Sequence, residues 1–239
     1  MANTYFQFKQ FKIEQANCAN KVSTDACVFG AWLNEYLPNS CSVLDVGCGS
    51  GLLSLMLGHK SDIRITGIEI DACCAKQAKN NVLTSAWSER IEIREADMRT
   101  WETNKKFDII ISNPPFYNNS SQNPNSKRNL ARQIESLGPK NWEHLLSQTT
   151  HNTSIIVLLL SDNDVHLAYR KELSAMGFLH LKSIALKDTK NALVKRTILI
   201  ASKRPIPSIK TDTIVYKEDD QSYSSQFVKL LSNYYLYLG

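Results

Sequence analysis

VLDVGCGSG, residues 43–51, joins an apolar segment to a glycine-rich turn. The apolar segment predicts a buried strand, and the glycines permit backbone conformations forbidden to other residues and let a ligand approach the main chain. The pattern is not G-x-G-x-x-G and no phosphate-loop lysine follows, which weakens a dinucleotide or nucleoside triphosphate interpretation. Asp45 ahead of Gly47, Gly49 and Gly51 suits a ligand with a cationic amino acid end. The alternative is a tight strand–helix turn with structural glycines.

Strand and helix patterns alternate along the chain from Cys41 onward. Such alternation predicts an α/β fold with a parallel, doubly wound sheet and helices on both faces. No helical pattern separates the last two strands, 178–186 and 197–202, so we expect them to pair antiparallel. The earlier predicted strands are 42–46, 63–70, 91–96, 107–112 and 154–160, and the predicted helices include residues 52–56, 75–82, 142–150, 165–176 and 223–235.

Two of these strands end in acidic residues. Glu69 lies at the tip of the second strand, about 20 residues beyond the glycine turn, where a carboxylate can accept two hydrogen bonds from ribose hydroxyls. Asp71 is assigned to capping the following helix. At the end of the third strand, Asp97 can accept a hydrogen bond from an adenine amino group, with Met98 supplying an amide or a packing surface. Solvation of a polar strand end is the alternative for Asp97.

Asn113-Pro114-Pro115-Phe116 follows the buried run at 107–111 and therefore lies at the carboxyl edge of the sheet, where open α/β sheets bind ligands. Amino groups on bases and amides are poor nucleophiles because their lone pair is delocalised. The Asn113 side-chain oxygen and the Pro114 carbonyl can accept both N–H hydrogens, orient the lone pair and stabilise the positive charge that develops on nitrogen. Phe116 offers a face on which an extruded base can stack, worth about 1–3 kcal/mol.

Asp45–Gly51, Glu69, Asp97 and Asn113–Phe116 together resemble the class I S-adenosylmethionine-dependent methyltransferases, in the amino-methylating subgroup with an N/D-P-P-Y/F signature. The resemblance covers roughly residues 22–203. It implies a Rossmann-like, seven-stranded, mostly parallel sheet with an antiparallel last strand, S-adenosyl-L-methionine as cofactor and no metal. Relatives often have Tyr where this chain has Phe116, with Tyr117 next, so these two rings can exchange roles. Pro115 and Tyr117 are expected to contact the substrate.

A closer likeness extends to both ends of the chain. Residues 8–32 and 223–238 are similar to bacterial enzymes that methylate N6 of adenosine 37 in a valine tRNA. In that family the segment corresponding to residues 21–25 lies beside the methionine end of the cofactor, which implies that Thr24 and Asp25 contact it. The likeness also implies a tRNA partner and N6-methyladenosine as product. We expect one domain over residues 1–239, with extensions at 1–40 and 204–239 around a core at 41–203.

Three other functions are alternatives to tRNA methylation. A ribosomal RNA amino-methyltransferase is the nearest, because the same motif suits adenine and guanine amino groups. Glutamine N5-methylation of a release factor is disfavoured, because those enzymes carry a helical substrate domain and only about 40 residues precede the first strand. A non-catalytic RNA-binding relative would be expected to lose the glycine turn or Asn113-Pro114, and both are present.

Charge and cysteine content constrain partners and compartment. The net charge of +5 and a pI near 8.8 do not by themselves indicate nucleic acid. Basic residues follow the Asn113–Phe116 motif and border the turn between the last two strands, and they can pair with RNA phosphates. The alternative is that they are ordinary solvated side chains. These residues are Lys127, Arg128, Arg132 and Lys195, with Lys187, Lys190 and Arg196 nearby.

The six cysteines form no C-x-x-C pair, which favours reduced thiols in the cytoplasm over a disulfide framework or a zinc site. The sequence has no apolar run near the roughly 20 residues that span a bilayer and no secretory signal pattern. We expect a cytoplasmic monomer.

Overall fold

A computed structural model describes residues 3–60, 62–114, 135–161, 163–206, 209 and 211–238. The strands are β1 (Tyr5–Gln7), β2 (Lys12–Glu14), β3 (Ser40–Val46), β4 (Asp62–Glu69), β5 (Ile91–Glu95), β6 (Phe107–Ser112), β7 (Thr150–Leu160), β8 (His180–Lys187), β9 (Val194–Ser202) and β10 (Thr213–Val215). The helices are α1 (Thr24–Tyr36), α2 (Leu52–Leu57), α3 (Ala72–Leu83), α4 (Trp142–Thr149, after a 3-10 turn at Pro139–Asn141), α5 (Asn163–Ala175) and α6 (Ser225–Leu231).

An eight-stranded sheet with the order β10-β8-β9-β7-β6-β3-β4-β5 forms the centre of the molecule. Strands β3 to β7 run parallel, whereas β9 is antiparallel to both β7 and β8. The predicted Rossmann-like sheet with an antiparallel last strand is confirmed. The structure adds β10, which pairs in parallel with the end of β8 from Thr213↔Ala185 to Val215↔Lys187. Three residues are too few for a periodic pattern, so the sequence did not predict this edge strand.

Side chains alternate between two apolar layers along each central strand. In β3, Val43 packs into the layer covered by α1, α2, α3 and α6, and Leu44 packs into the layer covered by α4 and α5. This period-two alternation of buried residues is expected of a sheet with helices on both faces. The small antiparallel sheet of β1 and β2 packs on the first layer through Ile13 and Phe6.

Side-chain caps define where several helices begin. The Asp71 carboxylate accepts a hydrogen bond from the backbone N–H of Cys74 at 2.7 Å, which confirms its predicted capping role at α3. Ser23 caps α1 and Ser224 caps α6 in the same way. Gly177 follows α5 with φ +86°, a conformation that glycine adopts at little cost after a helix.

One cysteine expectation is wrong. Cys18 and Cys74 form a disulfide, with Cα atoms 4.7 Å apart, whereas the sequence favoured six reduced thiols. The two residues are 56 positions apart. They meet because the segment between β2 and α1 packs on the first turn of α3, and spacing along the chain carries no information about such a contact. The remaining cysteines are free.

No helix among the described residues is both long and apolar enough to cross a membrane. Within the same residues, no group of three or more His, Cys, Asp and Glu side chains could hold a metal ion.

Candidate active site

Neighbouring strands place the predicted site residues along one edge of the sheet. Asp45 pairs with Gly67 of β4 and Ile111 of β6, and Glu69 pairs with Glu95 of β5. The parallel strands β3, β4, β5 and β6 thus end side by side. Asp45, Glu69, Asp97 and Asn113 all lie at or just beyond these carboxyl ends, where open α/β sheets bind ligands.

Hydrogen bonds to β4 fix the glycine turn that follows β3, and the space beside Gly49, at the centre of the turn, is open. The backbone N–H groups of Gly47 and Cys48 both donate to the carbonyl of Ile68, at 2.9 and 3.0 Å. Gly49 has φ +56°, and a Cβ built there would meet no atom within 4 Å. Gly49 therefore offers its backbone, with no side chain in the way, to a ligand at the carboxyl edge.

Asp45 is a buried carboxylate with half of its hydrogen-bonding capacity unused. The Ser54 hydroxyl donates to Oδ2 at 2.7 Å, whereas Oδ1 has no hydrogen-bond partner among the described residues. Burial, together with a smaller effect of the nearby charge of Glu69, raises the pKa of Asp45 to about 7. An unpaired buried acceptor of this kind suits a cationic amino group, which would supply both a hydrogen bond and a compensating charge.

Glu69 connects the glycine turn to α3. Its Oε2 accepts from the backbone N–H of Gly49 at 3.0 Å, and its Oε1 accepts from the backbone N–H of Asp71 at 2.9 Å. The side chain is 1% exposed. A carboxylate offers about four lone-pair positions, so each oxygen can accept more than one hydrogen bond, as the predicted contact with ribose hydroxyls requires.

Asp97 accepts hydrogen bonds from Arg99 and Ser136, neither of which was predicted from the sequence. The Arg99 guanidinium donates to Oδ2 from Nη2 at 2.7 Å, and the Ser136 hydroxyl donates to Oδ1 at 3.2 Å. The hydrogen bond from Arg99 is the main reason why the pKa of Asp97 lies below its usual value. Met98 is 2% exposed and packs in the core.

A small cavity of about 10 Å³, enough for about one water molecule, lies between these groups and is lined by the ends of β3, β4 and β5 together with Met98, Ser136 and Leu137. Leu137 covers Gly47 closely, because a Cβ at Gly47 would lie 2.6 Å from its Cδ1. Ser136 and Leu137 were not predicted from the sequence, since they match no motif.

Asn113, directly after β6, also has a buried acceptor oxygen. Its Oδ1 has no hydrogen-bond partner among the described residues. The Ser112 hydroxyl, one position earlier, donates to the carbonyl of Val46 at 2.7 Å and fixes the end of β6 against β3. The predicted residues Pro115, Phe116, Tyr117, Lys127, Arg128 and Arg132 lie outside the described residues.

Asp25 and Lys195, predicted to contact the cofactor and the substrate respectively, lie against each other. The Asp25 carboxylate accepts from the Tyr216 hydroxyl at 3.0 Å and pairs with Lys195 Nζ and Arg196 Nε, each at 3.4 Å. Because β9 is antiparallel, its first residues lie at the carboxyl edge, where Thr197 pairs with Leu160 of β7. Tyr216 was missed because it is 191 positions from Asp25. Thr24 is exposed at the start of α1.

The sequence could have indicated Ser54 as a partner of Asp45. It is the single polar residue in the apolar helix α2, Leu52–Leu57, and it is fully buried. A polar side chain in such a position needs a buried partner, and Asp45 is nine residues earlier at the end of the preceding strand.

Comparison with known proteins agrees with this architecture. The methyltransferase small domain family matches residues 23–137. A tRNA1(Val) (adenine(37)-N6)-methyltransferase of Pseudoalteromonas translucida is 34% identical over 97% of this chain and 98% of its own length. A crystal structure of a predicted O-methyltransferase from Agrobacterium tumefaciens superposes with a TM-score of 0.64 at 17% identity, over 87% of this chain and 95% of that one.

A second solved structure, a 16S ribosomal RNA guanine-N2 methyltransferase of T. thermophilus in complex with AdoMet and guanosine, has a TM-score of 0.56. It is 14% identical and covers 84% of this chain and 50% of its own. At these identities both solved structures support the fold.

Proposed function

The chain belongs to the family of tRNA1(Val) (adenine(37)-N6)-methyltransferases, and on that premise we propose that it transfers a methyl group from S-adenosyl-L-methionine to the exocyclic N6 of adenosine 37 in tRNA1(Val). The observation that carries the proposal is that Asp45 Oδ1 and Asn113 Oδ1, both buried and without a hydrogen-bond partner among the described residues, lie at the ends of the adjacent strands β3 and β6. One suits the cationic end of an amino acid ligand, and the other suits an amino group that is to be methylated.

The residues at the carboxyl edge fit the cofactor. Asp45 would receive its amino group, the glycine turn of Gly47, Gly49 and Gly51, which is open at Gly49, would approach its methionine part, and Glu69 would accept its ribose hydroxyls. Met98 lines the cavity, and Asp97, which accepts a hydrogen bond from Ser136 in that lining, is proposed to accept from the adenine amino group. Thr24 and Asp25 are proposed contacts at the methionine end. Bound S-adenosylmethionine supplies an electrophilic methyl carbon attached to a sulfonium sulfur.

Asn113 and Pro114 are the proposed catalytic residues, together with Phe116. The Asn113 side-chain oxygen and the Pro114 carbonyl would accept the two N6 hydrogens, so that the nitrogen lone pair points away from the ring plane towards the methyl group. Both acceptors also stabilise the positive charge that grows on nitrogen as the bond forms. Phe116 would stack on the extruded base. The methylated nitrogen loses its proton readily, so the proposal requires no strong general base and no metal.

Substrate contacts are proposed for Pro115, Tyr117, Lys127, Arg128, Arg132 and Lys195. We propose further that residues 1–239 act as one domain, as a monomer in the cytoplasm, where the tRNA substrate occurs.

The test compares tRNA from cells with and without the gene. We expect mass spectrometry of nuclease-digested tRNA1(Val) to show N6-methyladenosine at position 37 only when the gene is present. Purified protein should methylate a transcript with adenosine at position 37 and leave a transcript with guanosine there unmodified. Unchanged tRNA together with a missing methyl group in ribosomal RNA would refute the tRNA assignment and favour a ribosomal substrate.

A further inference from the structure

The disulfide between Cys18 and Cys74 lies close to the cofactor site and has no part in the chemistry proposed above. Cys18 belongs to the strap, the segment of residues 15–23 that joins β2 to α1. Cys74 lies in the first turn of α3. Both cysteines are almost fully buried, at 4% and 1% exposure. Cys73, the neighbour of Cys74, is exposed and free.

Few noncovalent contacts hold the strap on α3. The backbone N–H of Asn17 donates to Gln77 Oε1 at 2.8 Å. Within the strap, the N–H of Val22 donates to Gln15 Oε1 at 2.7 Å and Lys21 Nζ donates to the carbonyl of Cys18 at 2.9 Å. Most strap residues other than Gln15 and Cys18 are exposed. A segment with so little buried surface opens locally at low cost, and its only covalent attachment to α3 among the described residues is the disulfide.

The first turn of α3 is connected to the cofactor site by consecutive hydrogen bonds. The backbone N–H of Cys74 donates to Asp71, and the backbone N–H of Asp71 donates to Glu69 at 2.9 Å. Glu69 in turn accepts from Gly49 in the glycine turn. A change in the position of this helix end therefore changes the placement of the proposed ribose acceptor.

Asn81 gives a second connection from the N-terminal segment to the glycine turn. Its amide donates to the carbonyls of Glu14 and Ser50, each at 2.9 Å, and its oxygen accepts from the N–H of Glu14 at 3.0 Å. Glu14 ends β2 and directly precedes the strap. The strap is thus bracketed by Asn81 at its start and by α1, with Thr24 and Asp25, at its end.

We propose that Cys18 and Cys74 are a redox-modification site that reacts with low-molecular-weight disulfides, and that its oxidation state sets the affinity of the cofactor site. This rests on the cofactor site proposed above. The reaction is thiol–disulfide exchange: two cysteine thiols and one small disulfide give the protein disulfide and two small thiols. Two electrons pass from the cysteine sulfurs to the small disulfide, and its two sulfurs take up the two thiol protons.

The disulfide fixes the strap against α3, and reduction frees it to open. The oxidised protein holds Thr24, Asp25 and Glu69 in place before the ligand binds, so it loses less conformational freedom on binding. Because both sulfurs are buried, exchange proceeds only from the opened strap.

Wild-type protein incubated in glutathione buffers of different oxidised-to-reduced ratio tests the proposal without any substitution. Alkylation under denaturing conditions, followed by mass spectrometry, should show four modified cysteines in the oxidised form and all six in the reduced form. Calorimetry with S-adenosylhomocysteine as probe should show that the oxidised form binds about five-fold or more tightly than the reduced form, the lower end of typical coupling between sites.

Three cysteine variants test whether the change in probe affinity depends on the disulfide. Cys18→Ser and Cys74→Ser should bind the probe with the affinity of the reduced wild type in both buffers. Cys73→Ser, an exposed neighbour, should behave as the wild type. Six alkylated cysteines under oxidising conditions, or equal probe affinity in the two states, overturns the proposal. A protein that binds no probe in either state instead refutes the cofactor site itself, so the two failures are distinguishable.

Discussion

Ser54 donates its hydroxyl hydrogen to one oxygen of Asp45, at 2.7 Å, and leaves the other oxygen buried without a partner among the described residues. The hydrogen bond from Ser54 thus orients the buried carboxylate of Asp45. The strand fixes where Asp45 lies, and Ser54 fixes which oxygen is available to a ligand.

Cofactor affinity should depend on pH through Asp45. Its pKa is raised to about 7 by burial, so the free protein is largely protonated there below pH 7. A cationic ligand favours the ionised form, and binding at low pH must first release this proton. The dissociation constant of S-adenosylhomocysteine should therefore fall as pH rises, by up to about tenfold per unit below pH 7, and level off above it. Calorimetry at several pH values measures this.

Asp45→Asn is the control for the pH profile, because it keeps the acceptor oxygen and removes the titration. This variant should bind weakly and show no change of affinity around pH 7. A wild-type profile that stays flat between about pH 5.5 and 8.5 contradicts the role of Asp45.

Asn113→Ala should reduce turnover by about 10²-fold or more, the scale of losing one preorganised polar group, and leave cofactor affinity within a few fold. Single-turnover methylation of tRNA1(Val) and cofactor titration separate the two quantities. Asn152→Ala makes the same change at an exposed position on β7 and should have no effect. Normal turnover in Asn113→Ala would remove this residue from the mechanism.

Glu69→Gln should weaken cofactor binding by about tenfold or more. It replaces a carboxylate that accepts from Gly49 and Asp71 with an amide that has one acceptor oxygen, so a backbone N–H group loses its partner near the turn. Glu95→Gln is the matched control, since Glu95 pairs with Glu69 across β4 and β5 and is exposed. Equal cofactor affinity in the two variants is the result that rules out the proposed ribose contact.

Tyr216→Phe should destabilise the protein through Asp25. Burial and the charge of Asp25 raise the pKa of Tyr216, so its hydroxyl stays a donor to this buried carboxylate. Loss of a hydrogen bond to a charged group costs about 1.5–3 kcal/mol, which corresponds to a melting temperature lower by roughly 5 °C in a chain of this size. Differential scanning calorimetry measures the change. Tyr237→Phe, at a ring that is 87% exposed, should melt as the wild type does, and an unchanged melting temperature in Tyr216→Phe speaks against the contact.

The sequence by itself determined the features that depend on local periodicity and on residues close together in the chain. The strand over Phe107–Ser112, the cap at Asp71, the glycine turn and the position of Asn113 at a strand end all follow from such patterns. Parallel strands end at one edge, so the order of motifs along the chain was enough to place Asp45, Glu69, Asp97 and Asn113 together.

Only the tertiary structure decided the contacts between distant segments. The Cys18–Cys74 disulfide joins residues 56 positions apart, the Tyr216–Asp25 hydrogen bond joins residues 191 apart, and β10 exists through its pairing with β8. Leu137 and Ser136 line the cavity together with residues of β3 and β4 that are far from them in the sequence. Such contacts arise from how whole layers pack, and the free energy that selects them belongs to the assembled fold rather than to any local run of residues.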